Sequence, residues 1–250
     1  MTVILWHVEL SHYNEKVRWA LDYKGIPHER RVPMPGLHGL RAAVLTRGAQ
    51  RRLPVVELDG RRVWDSTDII AALEQYRPQP PLYPDEAAEL ARALELEDWF
   101  DENLGPAVRR LGWFHTLPDT DATSAALFNG EHPGRERMMR IAAPVAKRAV
   151  SVDYEVSAES AEAGKATILE AMDRVERELG PSGYLVGDRF SVADLAGASL
   201  FTPLLSPPGR PYAPPTVASL QDFHDELLAR PGGEWVYEMY ARHRGAWVPA

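Results

Sequence analysis

A small α/β sheet domain followed by an all-helical second half is the fold class this sequence predicts. Three observations carry it. Strand and helix signals alternate over the first 77 residues in the order βαβαββα, a parallel crossover unit followed by a hairpin. A proline-rich stretch at 77–85 breaks the chain. From residue 86 onward strand signals vanish and apolar residues recur at helical spacing. The boundaries expected are therefore 1–77 and 86–250.

Residues 3–8 are apolar and β-branched enough for a buried strand. Residues 14–24 read as a helix, with Val17 and Leu21 four apart and Gly25 and Pro27 as stop signals. Residues 28–32 make a charged, edge-like strand, and 36–46 a short helix. Residues 54–58 and 62–64 flank Asp59-Gly60, a tight-turn dipeptide, and form a hairpin. Asp65, Ser66, Thr67 and Asp68 are all N-cap types, and Ile69, Ile70, Leu73 and Tyr76 follow as a helical stripe. In the second half, 86–111 reads as one long helix carrying Leu90, Leu94 and Trp99. Residues 116–134 read as a loop and 135–150 as a helix with a basic face. Residues 158–179 place Ile168, Met172, Val175 and Leu179 on one stripe. Residues 191–205 are almost uncharged, as a helix buried all round would be. A proline-rich loop at 206–215 precedes helices at 220–229 and 234–243.

Composition narrows the function. The net charge is −8 (28 basic against 36 acidic residues), so the basic footprint of a nucleic-acid binder is missing. There is no cysteine, which removes disulfides, thiolate metal sites and a protein-thiol nucleophile. The eight histidines show no His-x-x-x-His spacing, and no metal is expected. The first residues lack a basic n-region, and the uncharged stretch at 195–208 is too short to span a bilayer, so a cytoplasmic protein with no membrane partner is expected.

Three places could carry chemistry. Ser11 stands between the first strand and the first helix, where unpaired backbone N–H groups attract an anion and a hydroxyl adds a donor. A thiol bound there would ionise more readily. Leu53-Pro54 opens the third strand. A cis bond there would turn the Leu53 backbone outward toward an extended peptide-like ligand, though trans is the commoner state. Asp65-Ser66 starts a helix and suits the paired charges of an α-amino-acid head group. Each place taken alone reads more readily as ordinary capping or turn chemistry.

Together, Ser11, Leu53-Pro54 and Asp65-Ser66 stand in the order and spacing of the thioredoxin-like N-terminal domain of the glutathione transferase superfamily, which this chain resembles over 3–76 and, more loosely, over 86–112 and 158–243. The run Tyr184-Leu185-Val186-Gly187-Asp188-Arg189-Phe190-Ser191-Val192-Ala193-Asp194-Leu195 resembles the Leu-x-Gly-x-x-Phe-Ser-x-Ala-Asp segment of the same family. Physically, Ser191 and Asp194 form a capping box, with Phe190 and Leu195 at the staple positions.

The resemblance implies a thioredoxin-like domain joined to an all-α helical bundle, with an insertion around 113–157 acting as a lid or as surface ornament. It implies glutathione as co-substrate and a small electrophile as acceptor, in a homodimer with a detoxifying activity. Ser11 would stabilise the thiolate. Leu53, before a cis Pro54, would pair with the cysteinyl backbone, and Asp65 and Ser66 would hold the γ-glutamyl group. Arg52 is a candidate for the glycyl carboxylate, with His38 and Arg51. Tyr13, Arg109 and Trp113 are candidates for the acceptor pocket, near Trp99, Phe100 and Phe114. With no cysteine and with Trp6 and His7 at the end of the first strand, the serine type is the branch implied. His12 stands where many relatives carry proline, and a looser loop is the expectation. The same residues also suit a glutathione-dependent isomerase or dehalogenase, or a non-catalytic binding protein on this scaffold.

Overall fold

The structure is a computed structural model and describes residues 2–34, 36–128, 136–212, 214–215 and 217–250. Strand β1 (Val3–Trp6) is the centre of a four-stranded sheet of order β2-β1-β3-β4. It runs parallel to β2 (Glu29–Arg31) and antiparallel to β3 (Val55–Leu58), which turns back into β4 (Arg61–Trp64). Alternation along β1 divides its side chains between two cores. Val3 and Leu5 face helices α1 (His12–Tyr23) and α3 (Ser66–Tyr76), while Ile4, Trp6 and Val8 join Ala42 and Leu45 of α2 (His38–Leu45) on the other side. A central strand covered on both faces needs a continuous apolar run, which is the pattern Val3–Trp6 carries.

Beyond residue 86 the described chain is helical: α4 (Ala87–Trp99), α5 (Gly105–Thr116), α6 (Thr120–Phe128), α7 (Glu136–Asp153), α8 (Ala158–Glu178), α9 (Val192–Leu200), α10 (Thr202–Leu205), α11 (Gln221–Leu228) and α12 (Pro231–His243). The buried helix α9 packs against α1, so one apolar core runs from the sheet into the second half. The capping box at its start is present. Ser191 N–H donates to Asp194 Oδ2 at 2.9 Å, and Leu185 N–H donates to Oδ1 at 2.8 Å.

Four helix expectations need correction. The single helix over 86–111 is divided by a π-helical turn, Phe100–Leu104, with Gly105-Pro106 opening α5. The expected loop at 116–134 contains α6, because Asp119 accepts from the N–H groups of Asp121 and Ala122 and starts a helix rather than a turn. Its residues 129–134, and the expected start of the next helix at Arg135, lie outside the described residues. The helix over 191–205 splits where Pro203 lacks an N–H, and the Thr202 hydroxyl takes the Ser199 carbonyl instead. The last helix begins at Pro231 rather than 234. Proline suits a first helical position, and at Gly232 a Cβ would come within 2.3 Å of the Met172 sulfur.

Candidate functional site

The first turn of α1 is built on a pinned loop. Arg18, fully buried, donates to the carbonyls of Val8 at 3.2 Å, Glu9 at 2.8 Å and Ser11 at 3.4 Å. From the second half, Arg210 donates to Leu10 O at 3.0 Å. Ser11 is the N-cap. Its Oγ accepts from Asn14 N–H at 3.4 Å, and the residue remains partly exposed. Accepting a backbone N–H occupies a lone pair, so the hydroxyl proton stays available to an outside anion.

Asn14 joins this turn to the third strand. Its side chain accepts from Val8 N–H at 3.2 Å and donates to Leu53 O at 3.1 Å. The Leu53–Pro54 peptide is cis. Asp65 carries φ 72°, a conformation that costs a non-glycine residue about 1–3 kcal/mol and that clusters at binding sites. Its carboxylate accepts from Thr67 N–H at 2.9 Å, and Ser66 is buried as the first residue of α3.

The π-helical turn closes the opposite side. Gly105 N–H donates to Phe100 O, five residues back, and the next donor in that register would be Pro106, which has none. The Asp101 carbonyl takes the Tyr13 hydroxyl instead, at 2.5 Å. The Asp101 carboxylate receives Lys16 Nζ at 2.5 Å and the Thr67 hydroxyl at 2.9 Å, tying α1 to α3. Lys16 also pairs with Glu97 at 2.8 Å. Burial alone would lower the Lys16 pKa, but the two carboxylates outweigh it and raise it. His12 is buried with Nε2 at 3.0 Å from Gly105 O. A carbonyl only accepts, so Nε2 carries the proton. The expected loosening at His12 is thus corrected: the imidazole docks the loop on α5 through a hydrogen bond that proline could not make.

A family model for the glutathione S-transferase N-terminal domain matches residues 5–81, and one for the C-terminal domain matches 158–204. The chain belongs to the glutathione S-transferase superfamily. Among solved structures, a glutathione S-transferase from Methylobacterium radiotolerans in complex with glutathione sulfonate is 26% identical, with 94% of this chain and 93% of that one covered, at a TM-score of 0.56. A theta class glutathione S-transferase from Xanthomonas axonopodis pv. citri with glutathione bound covers 99% of both chains at 18% identity and a TM-score of 0.60. A beta-etherase from Sphingobium covers 95% of this chain and 99% of its own at 21% identity and a TM-score of 0.61. The latter two show the fold alone. No curated protein matches the sequence.

Within this glutathione S-transferase fold, Arg52, His38 and Arg109 meet around Asp153 and Tyr154, with Tyr13 beside Arg109. Arg52 is exposed, 3.7 Å from Asp153 and over the Tyr154 ring at 5.6 Å. His38 lies near Asp153, and burial lowers its pKa. Arg109 lies over Tyr154 at 4.5 Å and near Tyr13 at 5.9 Å, whereas Trp113 is partly exposed a turn further along α5. A cleft of about 490 Å³ between α5 and α8, lined by Pro106, Arg110 and Gly164, lies on the second half away from Ser11. Asn14, Asp101 and Tyr154 carry no signal in the sequence: each acts through a residue 39 or more positions away. No described helix is long and apolar enough to cross a membrane.

Proposed function

We propose that the protein is a serine-type glutathione transferase, with Ser11 as the thiolate-stabilising residue and a homodimer as its working form. The observation that carries the reading is Ser11, a partly exposed residue whose hydroxyl caps the start of α1 on a loop held by Arg18, Asn14 and Arg210. A donor fixed before the charge forms needs no reorganisation when it does. The strained Asp65 beside Ser66, and the Leu53 backbone before cis Pro54, support the γ-glutamyl and cysteinyl contacts. Arg52 is the proposed cation for the glycyl carboxylate. The glutathione sulfonate bound by the Methylobacterium relative supports the same ligand class here.

In this reading the Ser11 O–H donates to the sulfur, the thiol proton leaves to water, and the α1 N-terminus adds its partial positive charge. Glutathione supplies the nucleophile: its sulfur bonds to an electrophilic carbon while the leaving group departs with the bonding pair. In an addition, the neighbouring carbon takes a proton from water. Ser11→Ala removes one hydrogen bond to a charged group, and the thiol pKa should rise by about one unit, ~1.4 kcal/mol. Thiolate absorbance across a pH titration, with conjugation of chlorodinitrobenzene alongside, checks this. An unshifted midpoint with unchanged turnover sinks the role of Ser11.

A further inference from the structure

Arg109 stands out among the charged side chains. It projects from α5 toward the first turn of α1, between the faces of Tyr13 and Tyr154. Its Nε is buried without a hydrogen-bond partner. Among the described residues no carboxylate pairs with it, and the other cations that bear on it are Arg52 and Arg110. Those two are answered: Arg110 by Glu155 at 2.8 Å, Arg52 by Asp153 at 3.7 Å. Taking a guanidinium largely out of water is costly unless an anion answers it, and a ring face returns only part of that cost. The tyrosines alone therefore leave the charge under-compensated. Arg109 is only partly buried as a residue, so a ligand can reach it. It also acts on His12 electrostatically, which places it beside the residues that follow Ser11.

We infer that Arg109, walled by Tyr13 and Tyr154, binds an anionic group on the electrophile, so that the acceptor is a flat aromatic compound bearing a carboxylate or phenolate. The planar guanidinium fork matches a carboxylate in two parallel hydrogen bonds, and the Tyr13 and Tyr154 rings that flank it keep aromatic carbon beside the bound anion. The inference rests on the thiolate reading above and names the substrate class of that site. Tyr154, just past the end of α7, gives the 113–157 segment a part in recognition.

The test separates the two ideas. Dinitrobenzoate and its uncharged amide are titrated against the full chain without thiol, using tryptophan quenching, for the native protein, Arg109→Met and Arg109→Lys. The acid should bind at least ~10-fold tighter than the amide to the native protein. Arg109→Met should bring the ratio to near unity, and Arg109→Lys should leave it between. The ratio is taken within each protein, so partial misfolding of a variant does not mimic the effect. A native ratio near unity, or one that survives Arg109→Met, overturns the inference. Conjugation of chlorodinitrobenzoate and chlorodinitrobenzene is measured in parallel. An intact acid preference with no turnover of either overturns the thiolate reading and keeps the anion site.

Discussion

His12 shows how one residue can link the site to stability. Burial, helped by Arg109, lowers its pKa to about 3, outweighing the Nε2–H bond to Gly105 O, which persists in either protonation state and favours the charged ring. His7, buried beside Arg18, is held at about 2. In the unfolded chain both titrate near 6.5, so below that pH the unfolded state binds more protons than the folded one. Their contribution is complete above pH 6.5 and drains away as the pH falls toward 3. Asp194 works in the opposite sense: burial raises its pKa to about 6 from 3.8, so it adds stability as the pH falls through that window. Two imidazoles outweigh one carboxyl, and the melting temperature should drop between pH 6.5 and 4.5. His12→Gln keeps a donor for Gly105 and removes the titration, so its melting curve should depend less steeply on pH. Equal slopes would count against the assignment. At this scale the sequence made Ser11, Asp65 and Ser66 visible because caps are local chemistry. Asn14 carries no such local signal, since its partner Leu53 is 39 residues away.

Among the elements, the π-helical turn does what an uninterrupted helix would not. It widens the backbone at Asp101, and Pro106 leaves a carbonyl for Tyr13. The fit depends on Gly105, where a Cβ would stand 2.1 Å from the Tyr13 oxygen. Gly105→Ala must push the phenol off Asp101, and it should destabilise the protein by about 1–3 kcal/mol, as overpacking does. Denaturant melts check the magnitude, and a variant as stable as the native protein would mean the ring moves freely. The apolar spacing over 86–111 is helical throughout, so periodicity could not show the break; the Gly-Pro pair was the signal for it. The short helix α6 was missed for a related reason: Pro118 and Asp119 signal a helix start as well as a turn.

Across the whole molecule, the C-terminal tail returns to the first domain. Arg244 pairs with Glu15 at 2.8 Å and Asp22 at 2.7 Å, all three nearly fully buried. Val248 O accepts from His28 N–H at 3.0 Å and Trp247 Nε1 donates to His28 O at 3.1 Å, covering the edge at β2. Burial raises the Glu15 pKa, yet Arg18 and Arg244 together bring it below the ordinary value. Arg244→Met leaves each acid with one arginine, Arg18 or Arg30, in a buried setting. The loss should be about 3 kcal/mol, or roughly 6–12 °C in melting temperature near neutral pH. No measurable shift would mean that Arg18 and Arg30 suffice. The sequence by itself determined the two-part architecture, the doubly covered sheet and the capped helix starts, because these depend on periodicity and on side chains acting within a few residues. Only the tertiary structure decided which carbonyls Tyr13 and His12 reach, that Arg109 has no paired carboxylate among the described residues, and that the tail bonds to His28 at the sheet's edge. Those outcomes depend on distances between groups far apart in the chain, which packing sets and local pattern does not encode.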